Sequence, residues 1–190
     1  MMRIITGRAR GMRLKAPEGE HTRPTAERVK EAIFSMLQFE IEDRQVLDLF
    51  AGSGQMGLEA VSRGAAHAVF VDSSRAAVEI IRQNCAKTRM EAACEVQCAD
   101  YAAFLRSCRG RRRFDLVFLD PPYAAGLVPH SLRLLLAGEL LTVGGTVVCE
   151  TAEAGDVFAG DDALAAHFAQ LRQTRYGAAC ITLLRRQETL

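Results

Sequence analysis

The chain has 190 residues, 49% hydrophobic and 25% charged, with a formal net charge of +1; that suffices for one well-packed domain and excludes two full domains with a target-recognition insert. No stretch of about 18 apolar residues is present to cross a bilayer, and the start Met1-Met2-Arg3-Ile4 lacks the apolar run of a secretion signal, so a soluble cytoplasmic protein is expected. Charge is uneven: the first thirty residues hold eight Lys or Arg against three acids, the remainder sixteen against twenty, which places an electrostatic footprint for a phosphate backbone at the front.

Segments 3–6 and 12–15 are short alternating runs separated by Gly7 and Gly11, which predicts a small hairpin whose exposed face carries Arg8, Arg10 and Arg13. Composition from 16 to 24 turns to Pro, Gly, Glu, His and Thr, a loop signal, so residues 1–24 read as a basic arm and 25–190 as the main domain. A helix is expected from Thr25, with Val29, Ala32, Ile33, Met36 and Leu37 as its buried stripe and Arg28, Lys30 and Glu31 left more exposed.

The run 46–50, Val-Leu-Asp-Leu-Phe, is a strand that enters Ala51-Gly52-Ser53-Gly54-Gln55-Met56-Gly57 and then a helix over 55–63. Strand, glycine loop and helix together bring backbone close to a ligand at a helix N-terminus. Asp48 argues against a pyrophosphate there, because a carboxylate repels an anion and instead attracts the cationic amino-acid end of S-adenosylmethionine. A second strand over 67–72 ends in Asp72, eighteen residues after Gly54, where a carboxylate can bind both ribose hydroxyls of an adenosine. A helix over 74–90 and a third strand over 94–98 follow; Asp100 is the candidate acceptor for an adenine amino group, and Tyr101 a face for its ring.

After a helix over 101–108 and the basic run Arg109-Gly110-Arg111-Arg112-Arg113, read as a solvated turn, the strand 114–119 leads into Asp120-Pro121-Pro122-Tyr123. Two prolines fix φ and remove two backbone donors, so the turn offers carbonyl and carboxylate acceptors with a π face beside them. Such a cluster suits an exocyclic amine on a nucleobase, whose N–H groups it holds while the nitrogen attacks. A helix over 127–136, a strand over 146–149, a helix over 164–171 and a closing antiparallel hairpin over 171–176 and 179–184 complete the order. Alternation of strands and helices implies a parallel sheet with ligands at the strand carboxyl ends, where Asp48, Asp72, Asp100 and Asp120 fall. The cysteines at 85, 94, 98, 108, 149 and 180 lack paired Cys-x-x-Cys spacing, so reduced structural thiols and no metal are expected, and His21, His67, His130 and His167 share no common spacing.

The pair Asp48-Leu49-Phe50-Ala51-Gly52-Ser53-Gly54 and Asp120-Pro121-Pro122-Tyr123 resembles class I S-adenosylmethionine-dependent methyltransferases of the amino-methylating group. Arg3-Ile4-Ile5-Thr6-Gly7, Arg10-Gly11, Arg23-Pro24-Thr25, Arg28-Val29, Gly57-Leu58-Glu59-Ala60 and Ser62-Arg63-Gly64-Ala65 resemble the bacterial RsmD family more narrowly, over nearly the whole chain to about Glu150. The resemblance implies an α/β, Rossmann-like seven-stranded sheet with helices on both faces and a small N-terminal β-hairpin extension. It also implies methylation of guanine N2 in 16S ribosomal RNA, in the small ribosomal subunit or its assembly intermediate; separately, with no heptad repeat or long exposed apolar stripe in the sequence, a monomer is the default expectation. Asp120, Pro121, Pro122 and Tyr123 are then the catalytic turn; Asp48, Phe50, Ala51, Gly52, Ser53, Gly54, Asp72, Asp100 and Tyr101 hold the donor; and Arg8, Arg10, Arg13, Arg23 and Arg28 meet phosphates. Family members usually carry Glu where this chain has the shorter Asp72. A DNA adenine-N6 methyltransferase, a nicotinamide-dependent oxidoreductase and a noncatalytic RNA-binding module remain as alternatives.

Overall fold

A computed structural model describes residues 2–16, 24–122, 126–152 and 155–188. Helix α1 (Pro24–Met36) precedes β1 (Gln45–Leu49), α2 (Gln55–Ser62), β2 (His67–Asp72), α3 (Arg75–Thr88) and, after a single 3-10 turn, β3 (Cys94–Cys98). Then come α4 (Tyr101–Cys108), β4 (Phe114–Leu119), α5 (Leu127–Ala137), β5 (Leu141–Thr151), the one-turn α6 (Asp162–Ala165), β6 (Phe168–Tyr176) and β7 (Ala179–Arg186). The strands form one seven-stranded sheet in the order β3-β2-β1-β4-β5-β7-β6. β7 alone runs antiparallel to its neighbours on both sides, the hairpin closing around Gly177.

Alternation along each strand divides the core. Val46, Phe70, Leu116 and Phe118 join Ile33, Phe34 and Leu37 of α1, Leu58 and Val61 of α2 and Ile81 of α3 on one face. Leu47, Leu49, Val69, Val71, Val117 and Leu119 meet Phe104 and Leu105 of α4 and Leu132 and Leu135 of α5 on the other. Near-continuous apolar strands covered on both faces are what a parallel sheet demands. The seven-stranded sheet with helices on both faces is thus as the sequence implied.

The first helix begins at Pro24, a residue suited to the first helical position because its missing N–H has no intrahelical partner there. The expected stripe is buried or half-buried, but Lys30 is buried rather than exposed, at 3% accessibility. Its Nζ lies 3.5 Å from Glu59 Oε2 and donates to the Arg3 carbonyl at 2.5 Å. Glu59, wholly buried on α2, also accepts the Ile5 and Thr6 N–H groups at 2.8 and 3.0 Å and Arg63 Nε at 2.8 Å. Burial lowers the Lys30 pKa, with Glu59 opposing the shift. Periodicity placed this lysine outside because a helix pattern does not register a buried acid 29 residues further on.

The arm turns back on itself, with a single antiparallel bridge, Arg3 to Arg13, rather than two full strands. Ile4 N donates to the Met12 carbonyl and Leu14 N to the Met2 carbonyl, both at 3.0 Å. Ile4, Ala9 and Leu14 are buried in the same cluster as α1 and α2, so residues 2–16 pack against the sheet's helical layer. The helix expected over 164–171 is the four-residue α6, and Phe168 starts a strand instead. Asp161 caps the short helix through the Leu164 N–H, and pairing with β7 outweighs the helical spacing of Leu164, Phe168 and Leu171. β6 lies at the sheet edge with a register shift between Gln170 and Arg172 and with Leu171 half exposed. The basic run ahead of β4 is partly used in pairing: Arg112 holds Glu95 through two nitrogens at 2.8 and 2.9 Å, and Arg113 meets Glu139 at 3.3 Å. Six free cysteines are present, four of them buried.

Glu59→Ala strips the buried Lys30 of its counter-charge and two arm N–H groups of their acceptor. Removing one partner of a buried ion pair costs about 3 to 5 kcal/mol, and urea unfolding is expected to show a loss of that order.

Candidate active site

Register brings the expected residues into one row. Leu49 of β1 pairs with Val71 of β2 and with Leu119 of β4, so the next residues, Phe50, Asp72 and Asp120, follow in step at the carboxyl ends of three adjacent strands. Leu119 in turn pairs with Cys149, which puts Glu150 in the same row. Phe50 adopts φ 75°, a left-handed conformation that non-glycine residues rarely take, and the Val71 carbonyl accepts both its N–H and that of Ala51, at 3.0 and 2.9 Å.

The glycine loop is tied down from beneath. Asp48, 4% accessible, has Phe70 and Phe118 as register partners on the neighbouring strands, and its Oδ2 accepts the Gly57 N–H at 2.9 Å. Gly54, the N-cap of α2, has φ 75° and no side chain to satisfy the first turn, so a carboxylate from β1 does it. A Cβ on Gly57 would lie 2.3 Å from Phe70 Cε1, so α2 can approach β2 this closely only with glycine there. Around Gly52, by contrast, a Cβ would meet no atom within 4 Å, and this side of the loop is open. Asp72 Oδ2 accepts the Gly52 N–H at 2.9 Å and its Oδ1 the Ser74 N–H at 2.8 Å, fixing the loop against the end of β2.

Burial raises the Asp48 carboxyl to about 7; the Gly57 N–H pulls it down and the nearby Asp72 charge pushes it up. Asp100 is exposed and caps α4 by accepting the Ala103 N–H at 2.9 Å, a structural duty that the adenine-contact expectation had not included. Tyr101 stands 5.0 Å from Phe50, ring centre to ring centre, and its hydroxyl lies 2.7 Å from His130 Nδ1 of α5. His130 is therefore a positioned structural histidine. Ser53 is buried, with its carbonyl accepting a hydrogen bond from the Asn84 side chain at 2.9 Å.

Asp120 and Pro122 are exposed at the end of β4, with Pro121 buried between them. Tyr123 and Arg23 lie outside the described residues. Arg8, Arg10, Arg13 and Arg28 are all exposed, but the row does not gather them: the Arg8 N–H bonds the carbonyl of Ser62, the last residue of α2, at 2.8 Å. An eight-residue helix separates that point from the glycine loop, a distance of about 12 Å. Sequence reasoning missed the positional weight of Glu59 and Asn84, single polar residues inside helices whose partners in the arm, Ile5 and Lys15, lie more than fifty positions away. Among the described residues, no helix is long and apolar enough to cross a membrane.

A parallel sheet extended by an antiparallel hairpin, with the glycine loop and acids at its carboxyl edge, defines the class I methyltransferase fold. The family described as Conserved hypothetical protein 95 matches residues 2–185. Ribosomal RNA small subunit methyltransferase D of Haemophilus influenzae is 34% identical over 151 residues, 79% of this chain and 78% of that protein. Its Escherichia coli counterpart is 40% identical over 134 residues, 70% of this chain and 66% of that protein. Among solved structures, yhhF from Escherichia coli superposes with a TM-score of 0.84 at 32% identity, covering 99% of both chains. This chain belongs to the RsmD family of methyltransferases.

The Asp48 shift has a sign. In the unfolded chain the carboxyl ionises near its ordinary value of 3.8, while in the folded protein it keeps its proton up to about 7. Its contribution to stability is therefore complete below the lower value and is lost as pH rises to the upper one. Denaturant midpoints of wild type and Asp48→Asn are expected to diverge from pH 3.8 up to about pH 7, the wild type losing ground; a pH-independent difference would rule the shift out.

Proposed function

We propose that the chain transfers a methyl group from S-adenosylmethionine to the exocyclic N2 of a specific guanine in 16S ribosomal RNA, in the small ribosomal subunit or its assembly intermediate. The observation that supports this reading is the row formed by Asp72, Phe50 and Asp120, with the Asp120 turn next in line to a glycine loop open at Gly52. Residues at the loop fit the donor in its chemistry. The Asp72 carboxylate, joined by Asp48 once that buried group ionises at about pH 7, favours a cationic sulfonium and ammonium over the pyrophosphate of a dinucleotide. Each Asp72 oxygen already accepts one N–H and retains capacity for a ribose hydroxyl. Phe50 and Tyr101 provide aromatic faces for the adenine, and the remaining acceptor capacity of Asp100 suits its amino group.

The donor supplies a methyl group on a positively charged sulfur that departs as a neutral thioether. Asp120 and the Pro121 carbonyl accept the two hydrogens of guanine N2, so the nitrogen lone pair localises and forms the new bond to carbon. The nitrogen becomes cationic only after attack, and Asp120 takes the surplus proton, directly or through water. Tyr123 stacks on the base. Most of the rate advantage in such a displacement comes from holding the two reactants in line, which is worth about 7 to 11 kcal/mol at best. A base must leave its stack to reach the turn, so an unpaired or loop nucleotide is the easier target. Arg8, Arg10, Arg13, Arg23 and Arg28 contact the flanking phosphates. The separation of Arg8 from the loop favours an extended or folded RNA surface over a short oligonucleotide. The relatives named for small-subunit ribosomal RNA methylation support the choice of substrate.

Purified protein, methyl-labelled S-adenosylmethionine and either deproteinised 16S RNA, small subunits from cells lacking the activity, or DNA are expected to yield N2-methylguanosine from the subunits. N6-methyladenine from DNA would replace this reading with the alternative amino-methylating one. Asp120→Ala is expected to lower transfer by about 100-fold or more with donor affinity retained in calorimetry. Each Arg→Gln change among Arg8, Arg10 and Arg13 is expected to reduce the slope of log affinity against log salt by about 0.7 to 1.

A further inference from the structure

Asn84 of α3 is wholly buried, and every polar atom of its side chain is used across two separate elements. Its Oδ1 accepts the Lys15 N–H at 2.8 Å, while Nδ2 donates to the Lys15 carbonyl at 3.0 Å and to the Ser53 carbonyl at 2.9 Å. One amide thereby clamps both faces of a single peptide position in the basic arm and a carbonyl inside the glycine loop. The neighbouring Gln83 takes the Lys15 ammonium at 2.6 Å, so α3 grips the arm at both backbone and side chain. At Gly54, the residue after Ser53, a Cβ would come 3.2 Å from Ile81 Cγ2 of the same helix. The loop can therefore shift little without moving Asn84, and Asn84 cannot move without releasing the arm.

We infer that Asn84 is a positioning residue that couples the donor loop to the basic arm, so that occupancy of the donor site and binding of RNA strengthen one another. This inference rests on the proposed methyl-transfer reading. Ligand that settles the loop holds the Ser53 carbonyl in place, fixes the amide that accepts and donates to Lys15, and pre-orders the arm. By linkage, RNA held on the arm raises donor affinity by the same factor. Neither effect requires Asn84 to touch substrate.

Two measurements test this. In the wild-type protein, hydrogen exchange at the Lys15 amide is expected to slow on addition of S-adenosylhomocysteine. In binding assays with 16S RNA, S-adenosylhomocysteine is expected to tighten RNA binding about fivefold or more in wild type and to have no effect on it in Asn84→Leu. A merely structural role for Asn84 would weaken both affinities and leave that ratio unchanged, which overturns the inference. Unaltered Lys15 exchange with S-adenosylhomocysteine bound overturns it as well, whether or not the variant folds. Absence of S-adenosylhomocysteine binding to the wild type would instead overturn the methyl-donor reading, and the coupling with it.

Discussion

Everything at the carboxyl edge of this sheet depends on the in-step register of β1 with β2 and β4. Because Leu49 pairs with both Val71 and Leu119, three chains leave the sheet at one level, and their first residues beyond the pairing become neighbours. A slip of one residue in any strand would turn its apolar set from one core face to the other. Register is therefore enforced by Val46, Leu47 and Leu49 on β1, Val69 and Val71 on β2 and Val117 and Leu119 on β4. Packing of the core and placement of the chemistry are the same constraint seen from two ends.

Within that frame the acids do unlike work. Asp48 lies between two phenylalanine positions and serves the first turn of α2, where an anion is favoured by the helix dipole but disfavoured by burial. Asp72 holds the glycine loop from the other side with both oxygens. Asp100 is chiefly a helix cap, whereas Asp120 is exposed on a proline-stiffened turn. The four acids thus divide into two that shape the loop, one that starts a helix and one that stands exposed just beyond β4.

The strands were legible because apolar runs between glycine, proline and acidic punctuation leave few readings. β2, β3 and β4 fall where their patterns place them, from His67, Cys94 and Phe114 onward. The order of motifs along the chain located the glycine loop and the acid row for the same reason, since a parallel sheet must present its strand ends together. Three features escaped because their causes are distant in sequence. Lys30 is inside because Glu59 awaits it, Asn84 is inside because Lys15 and Ser53 meet there, and the stretch from Phe168 is a strand because β7 lies alongside. Helical spacing alone carries no trace of any of these partners.

The edge strand β6 has a further consequence. An outermost strand displays a row of backbone donors and acceptors to which another chain can add, the usual route to fibrous association. Here the ladder is interrupted between Gln170 and Arg172, and Arg172 and Arg175 stand along the same strand. A bulge twists the edge and cationic side chains repel an approaching copy. The hairpin that completes the sheet therefore also terminates it on this side, and protects the β6 edge from growing by strand addition.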